Sequence, residues 1–295
     1  MVRWTDSGIT YEADSRHAEI LVHGLIGASR PVTTPGVTTS KGEESGDDGP
    51  LEAEEAGLFR SYAARANYLA MDRPDLAFST KELCRRMKEP HREDLRALRR
   101  VAQYLAGSGR LIYRFNWQSC HDLAVYTDTD FAGCHTTRKS TSGGCALRGE
   151  HLVKHWSTTQ KVITLSSGEA ELAGLVKGAC EGLGLQSLAA DLGIPLKMQL
   201  HADSSAAIGI CRRHGIGRVR HLAVGQLWVQ EKLRAKAYSL HKVPGDINPA
   251  DILTKNVCRA ILDRHLVTMS ADREAGRATS APEVSASVNQ QLARG

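Results

Sequence analysis

After Asn116 the chain changes texture, and the order of its segments restricts the fold more than any other feature. Short β-like runs joined by turns come first: "DLAVYTD", "SGGCALRG", "HLVKHWST" and "KVITLSS". A long alanine- and leucine-rich helix follows, "GEAELAGLVKGACEGLGLQSLAADLG". Then come the strand "LKMQLHAD", the helices "SSAAIGICRRHG" and "HLAVGQLWVQEKLRA", the strand "AYSLHKV", the turn "PGDIN" and a last helix opened by "NPADILTK". Hairpins first and alternating elements afterwards, β-β-β-α-β-α-α-β-α, predict a mixed sheet of the α/β class covered by helices.

Upstream, apolar residues recur at helical spacing from about Glu55 to Gly107, broken by proline at "DRPD" and "KEPH", which predicts three helices. Residues 1–34 supply a strand pair, "VRWTDSGITYEA", and one amphipathic helix, "SRHAEILVHGLIG". That is too little to fold alone, so part of their core has to come from elsewhere. Residues 35–57 combine glycine, proline and serine with seven acids against one lysine and read as a solvated linker. From about Ser270 the text is small and polar and reads as a disordered tail.

The linker's local charge of −6 means that the rest of a chain with net charge +5 carries +11. Such an excess suits a polyanion, although a solvated basic surface gives the same count. Eight basic residues between Lys81 and Arg100, Arg96, Arg99 and Arg100 among them, fit a solvated face or one that tracks phosphates. The seven cysteines form no C-x-x-C pair, so neither a zinc module nor a disulfide framework is indicated. With no apolar stretch near the roughly 18 residues of a membrane span and no signal-peptide core, the chain reads as soluble and not secreted. Neither a membrane nor a small-molecule cofactor is expected as a partner.

Four acids stand at element ends: Asp128 closes the first strand, Asp203 closes "MQLHAD", Glu171 opens the long helix and Asp251 opens the last one. Singly, each except Asp128 is explained as a helix cap or a favourable charge at a helix start. In a mixed sheet whose first strand is central, however, the carboxyl ends of strands one and four are neighbours and helix starts can face the same crevice. Four carboxylates there would raise one another's pKa unless a strong positive charge lay between them. Oxygen ligands without histidine or cysteine point to Mg2+, with Mn2+ as a substitute. A pair of such ions about 4 Å apart is the arrangement that serves phosphodiester cleavage.

The run "YTDTDFAG…RKSTSGG…HWSTTQKVITLSSGEAEL…HADSSAAI…RVRH…NPADILTK" closely resembles the ribonuclease H domain of copia-type retrotransposon Pol polyproteins, over about residues 122–257. "ASRPVTTPG" and "FRSYAARANYLAMDRPDLAFSTKEL…REDLRALRRVAQYLAG" resemble the end of the reverse transcriptase and its connection to the ribonuclease H. The resemblance implies a ribonuclease H-like five-stranded sheet, three antiparallel then two parallel strands, with helices on both faces and a small helical connection before it. It implies a reverse-transcriptase remnant at 1–34, the acidic linker at 35–57, a connection region at 58–118, a ribonuclease H-like domain at 119–268 and a tail at 269–295.

By the same resemblance Asp128, Glu171, Asp203 and Asp251 correspond to the catalytic, metal-binding acids, with two Mg2+ ions as cofactor. Spacing alone leaves Asp130 open, because residues two apart in a strand share a face. Glu169, two residues from Glu171 on a helix, points roughly 200° away. Arg138, Lys139 and Ser140 in the hairpin after the first strand are candidates for phosphate contact, or an ordinary surface turn. Ser167 and Ser204 sit in Ser-Ser pairs that cap helices and could also touch nucleic acid. Trp156 and Trp228 read as core. His221 and His241 lie near element ends. Cellular ribonucleases H place a histidine in the loop before the last acid to help product leave, whereas "PGDINPAD" has none, a departure that bears on turnover and not on the chemistry.

The implied function is cleavage of the RNA strand of RNA-DNA hybrids, leaving 5′-phosphate and 3′-hydroxyl ends. The polymerase part of the same polyprotein is an implied partner, and a cytoplasmic virus-like particle or the nucleus the implied location. Nothing upstream of residue 58 resembles the paired-aspartate strand of a polymerase, so no DNA synthesis is expected. The rival reading is a catalytically inactive remnant or nucleic-acid-binding module.

Overall fold

A computed structural model describes residues 1–27, 29–37, 49–134, 136–215 and 224–283. It divides into two compact units, one formed by Met1–Asn116 with Asn256–Val267 and Ala271 onward, the other by Trp117–Lys255 with Thr268–Ser270.

In the first unit, strands β1 (Val2–Thr5) and β2 (Gly8–Glu12) form a hairpin, and helix α1 (Ser15–Leu25) starts on an Asp14 cap. Helices α2 (Ala53–Leu69), α3 (Pro74–Arg85) and α4 (Arg92–Gly107) are the three that the periodicity predicts. The core missing from residues 1–34 comes from this segment: α1 packs on α2 and α4, burying Ala18, Ile20 and Leu21. Strand β2 pairs antiparallel with β3 (Arg110–Asn116), with Tyr11 opposite Tyr113. The segment 58–118 is therefore not wholly helical. "LIYRF" is too short to show a period, and pairing with distant segments, β2 on one side and a strand late in the chain on the other, makes it a strand.

The acids of the linker divide. Residues 38–48 lie outside the described residues, whereas Glu54 and Glu55 belong to the first turn of α2, where they complement the helix N-terminus. In chain order the unit ends with helix α8 (Arg259–Thr268) and strand β9 (Ala271–Glu274). β9 falls in the segment that composition alone makes a tail. It pairs with β3, Arg110 opposite Glu274, and Arg114 lies 3.2 Å from both Asp272 and Glu274. Residues 284–295 lie outside the described residues.

"DRPD" does more than interrupt a helix. Arg73, 1% exposed, forks onto Asp75 at 2.9 and 2.7 Å and donates to the carbonyls of Ser108 and Gly109. The Tyr104 hydroxyl donates to Asp75 at 2.5 Å, and Arg273 reaches that hydroxyl. Burial alone would raise Asp75; the Arg73 charge and hydrogen bonds outweigh it and hold the carboxyl down.

The second unit carries β4 (Asp122–Asp130), β5 (Thr141–Arg148), β6 (His151–Thr159), α5 (Ser167–Asp191), β7 (Lys197–Ala202), α6 (Ser205–Arg212), α7 (Val224–Arg234) and β8 (Ser239–Lys242). The sheet order is β6-β5-β4-β7-β8, antiparallel between β4, β5 and β6 and parallel from β4 to β7 to β8. This is the ribonuclease H-like sheet that the resemblance implies, with the first strand central. α5 lies across β4, β5 and β7, and Leu172, Leu175 and Ala179 join Leu123, Val125, Met198 and Leu200 in one core. Trp156 belongs to that core, and Trp228 packs against it.

Two expected elements differ. "KVITL" does not extend the sheet: Val162, Ile163 and Leu165 are exposed in a loop before α5. "NPADILTK" opens a 3-10 segment, Pro249–Leu253, and not an α-helix. That segment packs on β4, β5 and β6, on the side away from α5, at Gly143, where a Cβ would sit 2.8 Å from Leu253 Cβ.

Replacing Arg73 by Met leaves Asp75 buried without its bidentate partner and is expected to cost about 3–5 kcal/mol. Urea unfolding measures this, and the double change with Asp75→Leu should recover most of the loss. A single variant as stable as the parent would contradict the role given to the pair.

Candidate metal centre

The parallel register of β4 and β7 creates the site. Thr127 pairs with Ala202, so the residue that follows each is an aspartate, Asp128 in β4 and Asp203 just past β7, at the same carboxyl end of the two strands. Glu171 comes from the start of α5. One oxygen from each of Asp128, Glu171 and Asp203 falls within 4.8 Å of the others.

The first turn of α5 tells the two glutamates apart. Glu169 accepts from Leu165 N at 3.0 Å and from Ser166 Oγ at 3.1 Å, while Ser166 Oγ accepts from the Glu169 N–H, a reciprocal cap. Glu171 faces the two aspartates instead. Its Oε2 is buried with no hydrogen-bond partner.

Burial pushes Glu171 up to about 9, with the charges of Asp128 and Asp203 adding to it and the Thr129 N–H opposing. Asp128 is raised by burial and by Asp251, against a hydrogen bond from Thr254. Asp203 is raised by burial and then by Asp128. Three hard oxygen donors that resist ionising together, one with an orphaned atom, fit a divalent cation of the Mg2+ or Mn2+ kind.

Asp251 stands outside that trio. It lies in the 3-10 segment with its Oδ1 2.5 Å from Lys255 Nζ, near enough for its charge to act on Asp128. Burial disfavours the Lys255 ammonium, but the hydrogen bond and charge of Asp251, followed by Asp128 and Asp203, outweigh this and raise its pKa. Asn248, 1% exposed, donates from Nδ2 to the Thr127 carbonyl at 2.9 Å and ties this segment to β4. The fully buried Thr254 hydroxyl donates to Asp128 Oδ2. The motif "NPADILTK" contained Asn248, Thr254 and Lys255, but nothing in its spacing separates them from ordinary capping and solvated residues. Asp130 lies outside the trio, its carboxylate against Gly133 in the following loop.

The nucleic-acid candidates fare unequally. Arg138 is exposed, with φ 57°, and Lys139 is half-buried beside it. Ser140 is a correction: it is fully buried, and its Oγ accepts from Ala132 N at 3.0 Å, so it shapes the loop and cannot meet a phosphate. Ser166 and not Ser167 caps α5, leaving Ser167 exposed, while Ser204 caps α6 through Ala207 N. Arg96, Arg99 and Arg100 sit on α4 in the other unit; Arg96 and Arg99 are exposed, and Arg100 donates to Thr34. His241 stacks on His201, which stacks on Tyr126, a row across β8, β7 and β4 that sequence reading missed. His221 lies outside the described residues.

The chain is 29% identical over 252 residues to the retrovirus-related Pol polyprotein from transposon RE1 of Arabidopsis thaliana, which covers 82% of this chain and 16% of the relative. To the corresponding polyprotein from transposon RE2 of the same plant it is 31% identical over 248 residues, 82% of this chain and 17% of the relative. It thus spans about one sixth of the length of either. The solved structure of LC11-RNase H1, isolated from compost by a metagenomic approach, aligns with 45% of this chain and 93% of its own at 17% identity and a TM-score of 0.33. No protein-family model matches. Among the described residues no helix is long and apolar enough to cross a membrane.

Between the ordinary carboxyl value of 4.5 and about 9, the folded metal-free chain keeps a proton on Glu171 that the unfolded chain has released, so stability falls as pH rises through that window. Glu171→Gln removes the term. In EDTA the variant should melt higher than the parent at pH 8 and equally near pH 4, by about 2–4 °C for each kcal/mol relieved. Parallel melting curves across that range would contradict the raised pKa.

Proposed function

The chain belongs to the family of retrovirus-related Pol polyproteins of copia-type transposons, and from that premise we propose that its second unit is a ribonuclease H acting on the RNA strand of RNA-DNA hybrids. The observation that carries this reading is the convergence of Asp128, Glu171 and Asp203 at the shared carboxyl end of two parallel strands.

Asp128, Glu171 and Asp203 would hold two Mg2+ ions, with Asp251 as the fourth ligand. When bound, the ions would polarise the scissile phosphate and lower the pKa of the attacking water. The residues of the chain supply the rest. Thr254 orients Asp128, and Asn248 keeps the Asp251 segment against β4. Arg138 and Lys139 sit on the loop after β4, where cationic side chains can grip the phosphate backbone. RNA would be distinguished from DNA by its 2′-hydroxyls, read across the wide, shallow minor groove of the A-like hybrid. Cleavage would leave 5′-phosphate and 3′-hydroxyl ends. The polymerase part of the polyprotein would act alongside, delivering the hybrid.

Asp203→Asn removes one carboxylate without changing its shape. With Mg2+ and a labelled hybrid, the parent should cut the RNA strand and leave single-stranded RNA and duplex DNA intact. The variant should lose at least about 100-fold in rate, roughly 3 kcal/mol of barrier, while hybrid affinity changes little. A parent that binds hybrid but cleaves nothing with either Mg2+ or Mn2+ would sink the enzyme reading in favour of a non-catalytic binding module.

A further inference from the structure

We propose that Gln160 is a positioning residue for the carboxylate centre: its buried carboxamide grips the Ala170 carbonyl and thereby sets the reach of Glu171 toward Asp128 and Asp203. The proposal rests on the metal-centre reading above and adds to it a residue that touches neither metal nor substrate.

Glu171 is the one member of the trio borne on a helix laid across the sheet, so its position depends on where the first turn of α5 comes to rest. Apolar packing of Leu172, Leu175 and Ala179 is non-directional. It sets the depth of the helix but leaves small shifts along its axis cheap. Directional bonds remove that freedom. Gln160, 8% exposed, directly follows β6, with its own N–H anchored on the Ser140 carbonyl at 2.8 Å. From there Nε2 donates to Ser142 Oγ at 2.9 Å and to the Ala170 carbonyl at 2.9 Å.

Thr129 stands opposite Ser142 in the β4–β5 register, and its Oγ1 donates to the same Ala170 carbonyl at 3.3 Å. Gly174 makes this approach possible, since a Cβ there would lie 2.6 Å from Thr129 Oγ1. The peptide held by both side chains is the one immediately before Glu171.

The orientation of the amide is decided as well. Turned over, it would set its oxygen against the Ala170 oxygen, so the nitrogen must face α5. Its Oε1 is left buried without a partner. An unpaired buried oxygen is a standing cost. What glutamine supplies there is two fixed N–H donors, which an apolar side chain of the same size lacks.

The test uses the full 295-residue chain, Gln160→Met and Thr129→Val, with Mn2+ as the probe. Electron paramagnetic resonance titration reads Mn2+ affinity without substrate; hybrid cleavage reads kcat and KM; thermal melting reads folding. Gln160→Met should weaken Mn2+ binding and lower kcat by about 10- to 100-fold, as expected for a misplacement of about an ångström, with KM for hybrid within about twofold. Thr129→Val, which removes the second donor, should move the same two readouts less, and it carries the test if Gln160→Met does not fold. Unchanged Mn2+ affinity and kcat in folded variants, or a kcat loss matched only by the unfolded fraction, would overturn the proposal while leaving the enzyme reading intact. A parent chain that binds no Mn2+ would overturn both.

Discussion

Like charges held together at the end of two parallel strands are the constraint on which the second unit turns. At 4.8 Å, two ionised carboxylates repel by about 3–4 kcal/mol at an effective dielectric near 20. A half-exposed ammonium such as Lys255, paired with Asp251, offers on the order of 1 kcal/mol in return. That imbalance is why burial and mutual repulsion leave Glu171 near 9, and why the centre calls for a stronger cation. Thr254, Asn248 and the two donors on Ala170 keep the acids together against this repulsion.

The first unit meets buried charge in the opposite way. Arg73 and Asp75 satisfy each other with two parallel hydrogen bonds, and backbone carbonyls and Tyr104 absorb the remaining capacity. A charge of this kind is complete in itself, whereas among the described residues the acids of the second unit meet no counter-charge of matching strength. The contrast sets a self-satisfied ion pair in one unit against a cluster of uncompensated carboxylates in the other.

Much of this was legible from residues. Strands and helices with a clear period appeared where periodicity put them, and "YTDTD", "GEAEL" and "HADSS" marked the three acids that converge. What local text hid were elements whose existence depends on a distant partner. β3 needs β2, β9 needs the arginines of β3, and Glu54 and Glu55 share the composition of a linker while standing in a helix. Ser140 read as a surface turn because nothing nearby in the chain reveals that Thr164 and the Ala132 N–H enclose it. "KVITL" has the hydrophobicity of a strand, yet its apolar side chains face outward, while Gln160 just before it and Thr164 within it are buried.

By itself the sequence determined the class of the sheet, the family and which acids stand at element ends, because hydrophobic period and motif are properties of neighbours along the chain. Only the tertiary structure decided that Glu169 is spent on Leu165 N and Ser166 Oγ, that Asp251 is engaged by Lys255, and that Gln160 grips the turn before Glu171. Those outcomes are hydrogen bonds and charge contacts, several of them between residues far apart in the chain, and their strength depends on distances of a few ångströms that no spacing along the chain encodes.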